Sequence, residues 1–385
     1  MKRLLTLTSA LIALLCSKAA MAEYGLNMTQ GITEVSKDIY DLHMMVFWVC
    51  VVIGIVVFGA MFYSIVAHRK SKGHKAAHFH ESTTVEFIWT GVPILILIAM
   101  AIPATKTLID IEVLDKADMT IKVTGHQWKW QYDYPVEGIS FISNLSQSSK
   151  DVMDDREHVA NDKHKEHGSP AEREALDASG DIYLLSVDNH LVIPVDTTVR
   201  FLITSNDVIH NWWVPAFAVK QDANPGFIND AWARPTEIGT YRGQCAELCG
   251  TKHGFMPIVV DVVSKADYAA WVAEQQGVAA AAVEAATQTW SEEDLMAQGE
   301  TLYNTNCAGC HMTDGSGGYG PAIKGSSIAN GDAADHLNIV INGKNGMPSF
   351  KMLGDADLAA VITYERRAFG NTGSVVQPAD ATSAR

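Results

Sequence analysis

Two stretches constrain this chain more than anything else in it. Residues 44–67 and 87–105 contain no Asp, Glu, Lys or Arg, and each is about as long as the roughly 20 residues a helix needs to cross a bilayer. The thirteen Val, Ile and Phe of the first run favour insertion by about 5 kcal/mol in sum, with no ionised group to oppose them. Together the runs predict a transmembrane hairpin within 23–110. The segment between them carries Arg69, Lys70, Lys72 and Lys75. Basic loops stay on the cytoplasmic side, so everything after residue 110 faces the periplasm. His68, His74, His78 and His80 in the same segment read as a solvated loop, not a metal site. Upstream, residues 1–22 have a basic start, a short apolar run and an Ala20-Met21-Ala22 step, which predicts a secretory signal cleaved after Ala22. Cys16 lacks the small residues before it that a lipoprotein site prefers.

Composition narrows the partners. Acids outnumber bases 44 to 29, giving a formal charge of −15, which excludes a phosphate-binding surface for nucleic acid. Hydrophobic residues make up 48 % and charged residues 19 % of the 385, a balance that fits a membrane portion joined to soluble domains, with membrane lipid as one partner.

From residue 117 the apolar runs give way to alternation. "MTIKVTGHQWKWQYDY" puts His126, Trp128, Trp130, Tyr132 and Tyr134 on one face and Gln127, Lys129, Gln131 and Asp133 on the other, the period of a half-buried strand. Similar segments at 182–187, 199–204, 210–214, 240–245 and 257–263 predict an all-β sandwich or small barrel over 117–264. Residues 143–180 interrupt it with a highly charged stretch holding His158, His164 and His167, expected as a mobile surface insertion with its histidines solvated. An Ala-rich helix and partly helical linker follow over 265–290, whose reach as a flexible chain is of order 25 to 30 Å. A small helical domain is expected over 291–371, opened by Ser291 with Asp294 three residues on and closed by a second helix near 355–369, with a disordered tail at 372–385. About 80 residues make a small apolar core, which a bound prosthetic group would help to stabilise.

The cysteines carry the chemistry. With Cys16 in the signal and Cys50 in a span set aside, two close pairs remain. "CAELCGTKHGFM" holds Cys245, Cys249, His253 and Met256. A disulfide suits an oxidising compartment, and zinc closes sites with Cys and His, but thiolate, imidazole and thioether together favour copper. Two sulfurs this close can bridge two coppers, and His210 in "DVIHNWWVPAF" is the candidate for a second imidazole. The other pair, Cys307 and Cys310 followed by His311, is C-x-x-C-H. There two thiols add to haem vinyl groups and the imidazole lies under the iron. Met347 in "NGKNGMPSF" is the candidate sixth ligand, with Met352 the fallback. A Met/His pair raises the haem potential.

These motifs resemble subunit II of the haem–copper cytochrome c oxidases, in the form that carries a fused C-terminal cytochrome c. The resemblance implies a multidomain membrane protein: a two-helix transmembrane hairpin, an all-β cupredoxin-like domain and a small all-α class I cytochrome c domain. It implies a binuclear CuA centre with Cys245 and Cys249 as bridging thiolates, His210 and His253 as terminal ligands, and Met256 and the Glu247 carbonyl as weak axial ligands. The Glu247 carboxylate would reach a magnesium ion shared with subunit I. Trp128 would be where electrons enter CuA, and Glu86 would stand at the mouth of a proton channel. The implied role is to take electrons from cytochrome c or another donor onto haem c and pass them through CuA to the haems of subunit I. There, with subunit III alongside, oxygen is reduced to water and protons are pumped. No oxygen-reducing site lies in this chain. The rival reading is a membrane-tethered CuA and haem c shuttle serving another terminal reductase.

Overall fold

A computed structural model describes residues 27–73, 80–114, 116–154 and 180–385. The signal segment 1–22 with Cys16, the histidines His74 and His78, and residues 155–179 of the insertion with His158, His164 and His167 lie outside the described residues.

The first apolar run is part of helix α1, Glu34–Ala67, and the second of α2, Thr83–Glu112. Both continue past the charge-free stretches because polar residues at a helix end still close backbone hydrogen bonds. Their apolar side chains point outward, Ile55 at 68 % exposure and Phe87 at 76 %, and no residue of α2 is buried. A soluble core helix would bury that surface; a helix in lipid has no need to. Glu86 sits in the first turn of α2, where an acid complements the helix dipole.

The soluble region begins with ten strands in two five-stranded sheets. One has the order β3-β2-β1-β5-β8 and the other β4-β10-β9-β6-β7. The strands are β1 Met119–His126, β2 Lys129–Tyr134, β3 Ile139–Ser143, β4 Leu191–Pro194, β5 Val199–Ser205, β6 His210–Val214, β7 Val219–Ala223, β8 Asn229–Ala233, β9 Gly239–Cys245 and β10 Pro257–Val263. The sheets face each other across Trp130, Tyr132, Tyr134, Phe201 and Trp212, all fully buried. Polar contacts also tie one sheet to the other. The Tyr134 hydroxyl donates to the Val192 carbonyl at 2.9 Å, and the Trp212 indole donates to the Tyr132 hydroxyl at 3.3 Å.

The alternating stretch from Met119 is two antiparallel strands, not one. The chain reverses at Gln127-Trp128, and His126 pairs with Lys129. Trp130, Tyr132 and Tyr134 face the core as the alternation predicts, but Lys129 is buried too. Residues 182–187 form no strand: Leu184 has φ 60°, and only Val187 bridges, to Leu145. The described part of the insertion holds helix α3, Gln147–Asp154.

Residues 265–290 differ from a flexible linker. Helix α4, Lys265–Thr287, is capped by Ser264, whose hydroxyl accepts from the Asp267 amide. It is anchored at its start, where Trp271 lies 5.2 Å from the Tyr134 ring and the Tyr268 hydroxyl donates to Glu137 at 3.1 Å. Helix formers dominate this Ala-rich segment, and the aromatic anchor keeps it on the sandwich.

The C-terminal domain packs α5 Glu292–Asn306, α6 Ala308–His311, α7 Ala333–Asn342, α8 Asp355–Arg367 and α9 Pro378–Ala384. Ser291 caps α5 by accepting from the Asp294 amide. The tail at 372–385 is ordered, contrary to the expectation from composition. Val376 and Ala381 are fully buried, Gln377 and Asp380 form a capping box, and the buried Arg366 guanidinium donates to the Ser374 carbonyl at 2.8 Å. A buried guanidinium has to spend its five donors on acceptors, and the tail supplies some of them.

Candidate metal and haem centres

Three elements converge at one end of the sandwich. His210 starts β6, Cys245 ends β9, and the loop from Cys249 to Met256 closes over them before β10. Ligand atoms of His210, Cys245 and Cys249 all lie within 4.8 Å of one another, and all three residues are buried. The Cys245 and Cys249 sulfurs are 3.9 Å apart. His210 Nδ1 is 4.0 Å from the first sulfur, and His253 Nδ1 is 3.5 Å from the second. Met256 Sδ lies 3.5 Å from Cys249 Sγ, and the Glu247 carbonyl 3.3 Å from Cys245 Sγ. Six donors of the expected types thus share one small volume. The Glu247 side chain is exposed.

Electrostatics favour a charged sulfur here. The Cys245 thiol is pulled down to about 3, first by its hydrogen bond with Cys249 and then by His210, while Cys249 is pushed up by the same Cys245 partner. The first proton therefore leaves readily and the second needs a cation in its place, which is how thiolate sites couple metal binding to proton release. Soft donors, a ready thiolate and exclusion of water fit copper.

The surrounding residues fix the ligands. Asp207 Oδ1 lies 2.8 Å from His210 Nε2, so Nδ1 is the nitrogen turned to the sulfurs. Burial lowers the pKa of His210, but the bonds to Asp207 and Cys245 and the charges of both partners together raise the net value. At Gly125 a Cβ would meet His210 Cδ2 at 2.8 Å; only glycine lets β1 approach the ring. The Cys249 carbonyl accepts from Gln127 Nε2 at 2.8 Å and from the Trp128 indole at 3.2 Å. The Met256 carbonyl accepts from the Trp130 indole at 3.2 Å. Trp128 is half-buried, its ring against the loop that carries the cysteines. Sequence reasoning missed Asp207, Gly125 and Gln127. Only Asp207 left a signal, a carboxylate three residues before a ligand histidine.

The second centre lies in the helical domain. Cys307, Cys310 and His311 share one helical turn, with the Cys310 and His311 amides donating to the Cys307 carbonyl at 3.0 Å each. His311 is 8 % exposed, and its Nδ1 is 2.7 Å from the Pro321 carbonyl, which fixes the ring and leaves Nε2 as the nitrogen that could bind iron. A Cβ at Gly320 would lie 2.5 Å from His311 Cε1, so that glycine holds the ring's other side. The donor chemistry and this locked ring fit a covalent haem. Met347 sits in a tight turn, its amide donating to the Lys344 carbonyl at 3.0 Å, and packs against the domain core together with Met352. Burial pushes the Cys307 thiol well up, and the nearby Glu365 adds to this.

A membrane-anchored protein with a cupredoxin-like metal domain and a haem-binding helical domain is the class these features define. Residues 21–107 match the transmembrane domain of cytochrome c oxidase subunit II and 168–263 its periplasmic domain, while 294–364 match subunit III of the cbb3-type cytochrome c oxidase. A probable cytochrome c oxidase subunit 2 of Rickettsia bellii is 34 % identical over 281 residues, covering 73 % of this chain and 95 % of that protein. Cytochrome c oxidase subunit 2 of Cereibacter sphaeroides is 37 % identical over 255 residues, 66 % of this chain and 81 % of that one. The crystal structure of the periplasmic domain of subunit II of cytochrome oxidase from Bradyrhizobium japonicum aligns at 36 % identity with a TM-score of 0.33, over 43 % of this chain and 98 % of that one. The chain belongs to the cytochrome c oxidase subunit II family and carries a fused C-terminal cytochrome c domain. It is a component of an oxidoreductase complex of the bacterial inner membrane, with its soluble region in the periplasm.

Proposed function

We propose that this subunit collects electrons in the periplasm and delivers them to subunit I of a proton-pumping haem–copper oxidase, which reduces oxygen to water with subunit III alongside. Cys307 and Cys310 would attach haem c, and His311 and Met347 would bind its iron. Cys245, Cys249, His210 and His253, with Met256 and the Glu247 carbonyl, would hold the two coppers of CuA. When bound, these groups supply one-electron redox chemistry at potentials their ligands tune.

The residues of the chain do the rest. Asp207 and Gly125 orient His210, and Pro321 and Gly320 orient His311, so neither imidazole has to reorganise. The buried sandwich end keeps water from the sulfurs. Trp128, donating to the Cys249 carbonyl, puts an aromatic edge between the copper ligands and the haem-bearing turn, which supports its role as the place where electrons enter. The exposed Glu247 carboxylate is suited to a magnesium ion at the junction with subunit I. Glu86, in the first turn of α2, is suited to the mouth of a proton channel in that partner. The donor set of two thiols, two imidazoles, a thioether and a carbonyl at 3.3 to 4.0 Å spacings carries the reading.

The test is metal content with electron paramagnetic resonance on detergent-solubilised complex. The expected result is two coppers per haem c iron in this subunit, a hyperfine pattern shared over two nuclei, and a larger subunit that co-purifies. Cys249→Ser should abolish the copper signal and spare the haem c spectrum, and Met347→Ala should do the reverse. Zinc or a single copper at Cys245 and Cys249 would overturn the copper assignment, and migration of the subunit alone would favour a shuttle.

A further inference from the structure

Lys129 is a buried polar residue of the alternating stretch whose placement the metal site does not explain. It opens β2, directly after Trp128, and is 4 % exposed. Its side chain leaves the sandwich and ends against the helical domain. There Nζ donates to Asn306 Oδ1 at 3.0 Å and lies 4.6 Å from the centre of the Phe350 ring. Asn306 immediately precedes Cys307, and Phe350 follows Met347 by three residues, so one ammonium touches both flanks of the haem-binding region. The Asn306 amide is turned for the purpose: its Nδ2 donates to the Leu302 carbonyl at 3.1 Å, leaving Oδ1 to face the lysine.

Burying a cation is unfavourable unless it is compensated, and among the described residues no carboxylate lies within ion-pair distance of Lys129. An amide oxygen and an aromatic face take that place. Burial pulls the lysine down to about 8, against which the Asn306 oxygen and the Phe350 face stabilise its charged form. The loop that carries the cysteines contributes nearby contacts. Thr251 donates to the Tyr319 hydroxyl at 2.6 Å, and Lys252 Nζ would lie 2.7 Å from a Cβ at Gly309, between the two haem-attachment cysteines. A cleft of about 540 Å³ separates the two faces, lined by Trp128, Lys129, Lys252, Asn306, Gly309 and Cys310.

We propose that Lys129 is the positioning residue that docks the cytochrome domain on the Trp128 edge of the copper domain, and that its buried charge, held beside Cys307, raises the haem c potential. An oxidised haem carries one more positive charge than a reduced one, so a neighbouring ammonium disfavours the oxidised form, and more strongly when buried than in water. The same contact sets the distance across which the two centres exchange electrons, without recourse to a swinging tether. The inference rests on the reading of Cys307, Cys310 and His311 as a haem c site.

The experiment compares full-length wild type with Lys129→Met, Lys129→Arg and Asn306→Ala, each loaded with copper and haem in detergent. Haem c is poised at the wild-type midpoint, and α4 is probed by limited proteolysis. In Lys129→Met the ratio of reduced to oxidised haem should fall about threefold or more, and cleavage within Lys265–Thr287 should accelerate about fivefold as docking is lost. Lys129→Arg should hold both values near wild type. Asn306→Ala, which keeps the charge, should accelerate cleavage. A haem-loaded Lys129→Met protein with an unchanged ratio, or with unchanged cleavage, overturns the proposal. Absence of covalent haem from the wild type would instead sink the haem reading on which it rests.

Discussion

Gly125 and His210 are in such close contact that a Cβ on the first would stand 2.8 Å from Cδ2 of the second. Gly125→Ala therefore has to push the ring away from the sulfurs or move β1, which pairs with both β2 and β5. Overpacking of this kind costs about 1–3 kcal/mol. The expected outcome is a lower unfolding midpoint for the copper-free protein together with weaker copper retention during dialysis, both read on the same preparation. A variant that keeps wild-type copper content would show that His210 is placed by something other than this contact.

Asp207 is the outer partner of that imidazole, 2.8 Å from Nε2, and its other oxygen accepts from the Gln127 amide at 2.7 Å. Asp207→Asn keeps an acceptor for the backbone but removes the charge that fixes the tautomer. Partners of this kind are worth about 10- to 100-fold in metal affinity. Competition against a copper chelator should give a loss in that range, with haem c absorbance unchanged.

Acid should weaken the copper domain in a definite window. His126 is buried and held at about 4, first by desolvation and then by the charge of Lys129, against an ordinary 6.5. Its folded value is depressed, so the unfolded chain binds the extra proton between those limits. The stability contributed is full above about 6.5 and drains away as pH falls toward 4, on the order of 3 kcal/mol in all. Denaturant midpoints measured from pH 7 to 4 should fall less steeply in His126→Gln than in wild type; parallel curves would remove His126 as the cause.

What could be read from sequence was what short-range chemistry dictates. The spans follow from missing charge, the copper loop from five donor residues in twelve positions, and the haem site from one pentapeptide. What escaped depends on partners far away in the chain. The turn at Gln127-Trp128 has none of the Gly, Pro, Asn or Asp that usually mark one, so two strands looked like one. Lys129 sat on the polar face of that alternation, and its side-chain partners Asn306 and Phe350 lie in the cytochrome domain, about 180 residues or more further on. Residues 182–187 are apolar enough for a strand, yet Arg242 donates to the Leu185 carbonyl and to Ser186 Oγ, holding a turn. Helix α7 went unread because His336 and Asn338 obscure its apolar face. That face is Leu337, Val340 and Ile341.

The tail gives the sharpest contrast between composition and packing. Residues 372–385 are small and polar enough to look disordered, but Val376 and Ala381 are fully buried. Thr363 Oγ1 donates to the Val376 carbonyl at 3.1 Å and accepts from its amide at 3.0 Å, while Arg385 Nε pairs with Asp355 at 2.5 Å. Deleting residues 376–385 exposes the face of α8 beneath them and leaves the buried Thr363 hydroxyl without a partner. The apolar and hydrogen-bond terms together come to roughly 3 kcal/mol or more. Thermal unfolding followed at the haem Soret band should shift to a clearly lower midpoint, while the copper-site transition stays where it is. If the haem midpoint does not move, the tail contributes nothing to the domain on which it packs.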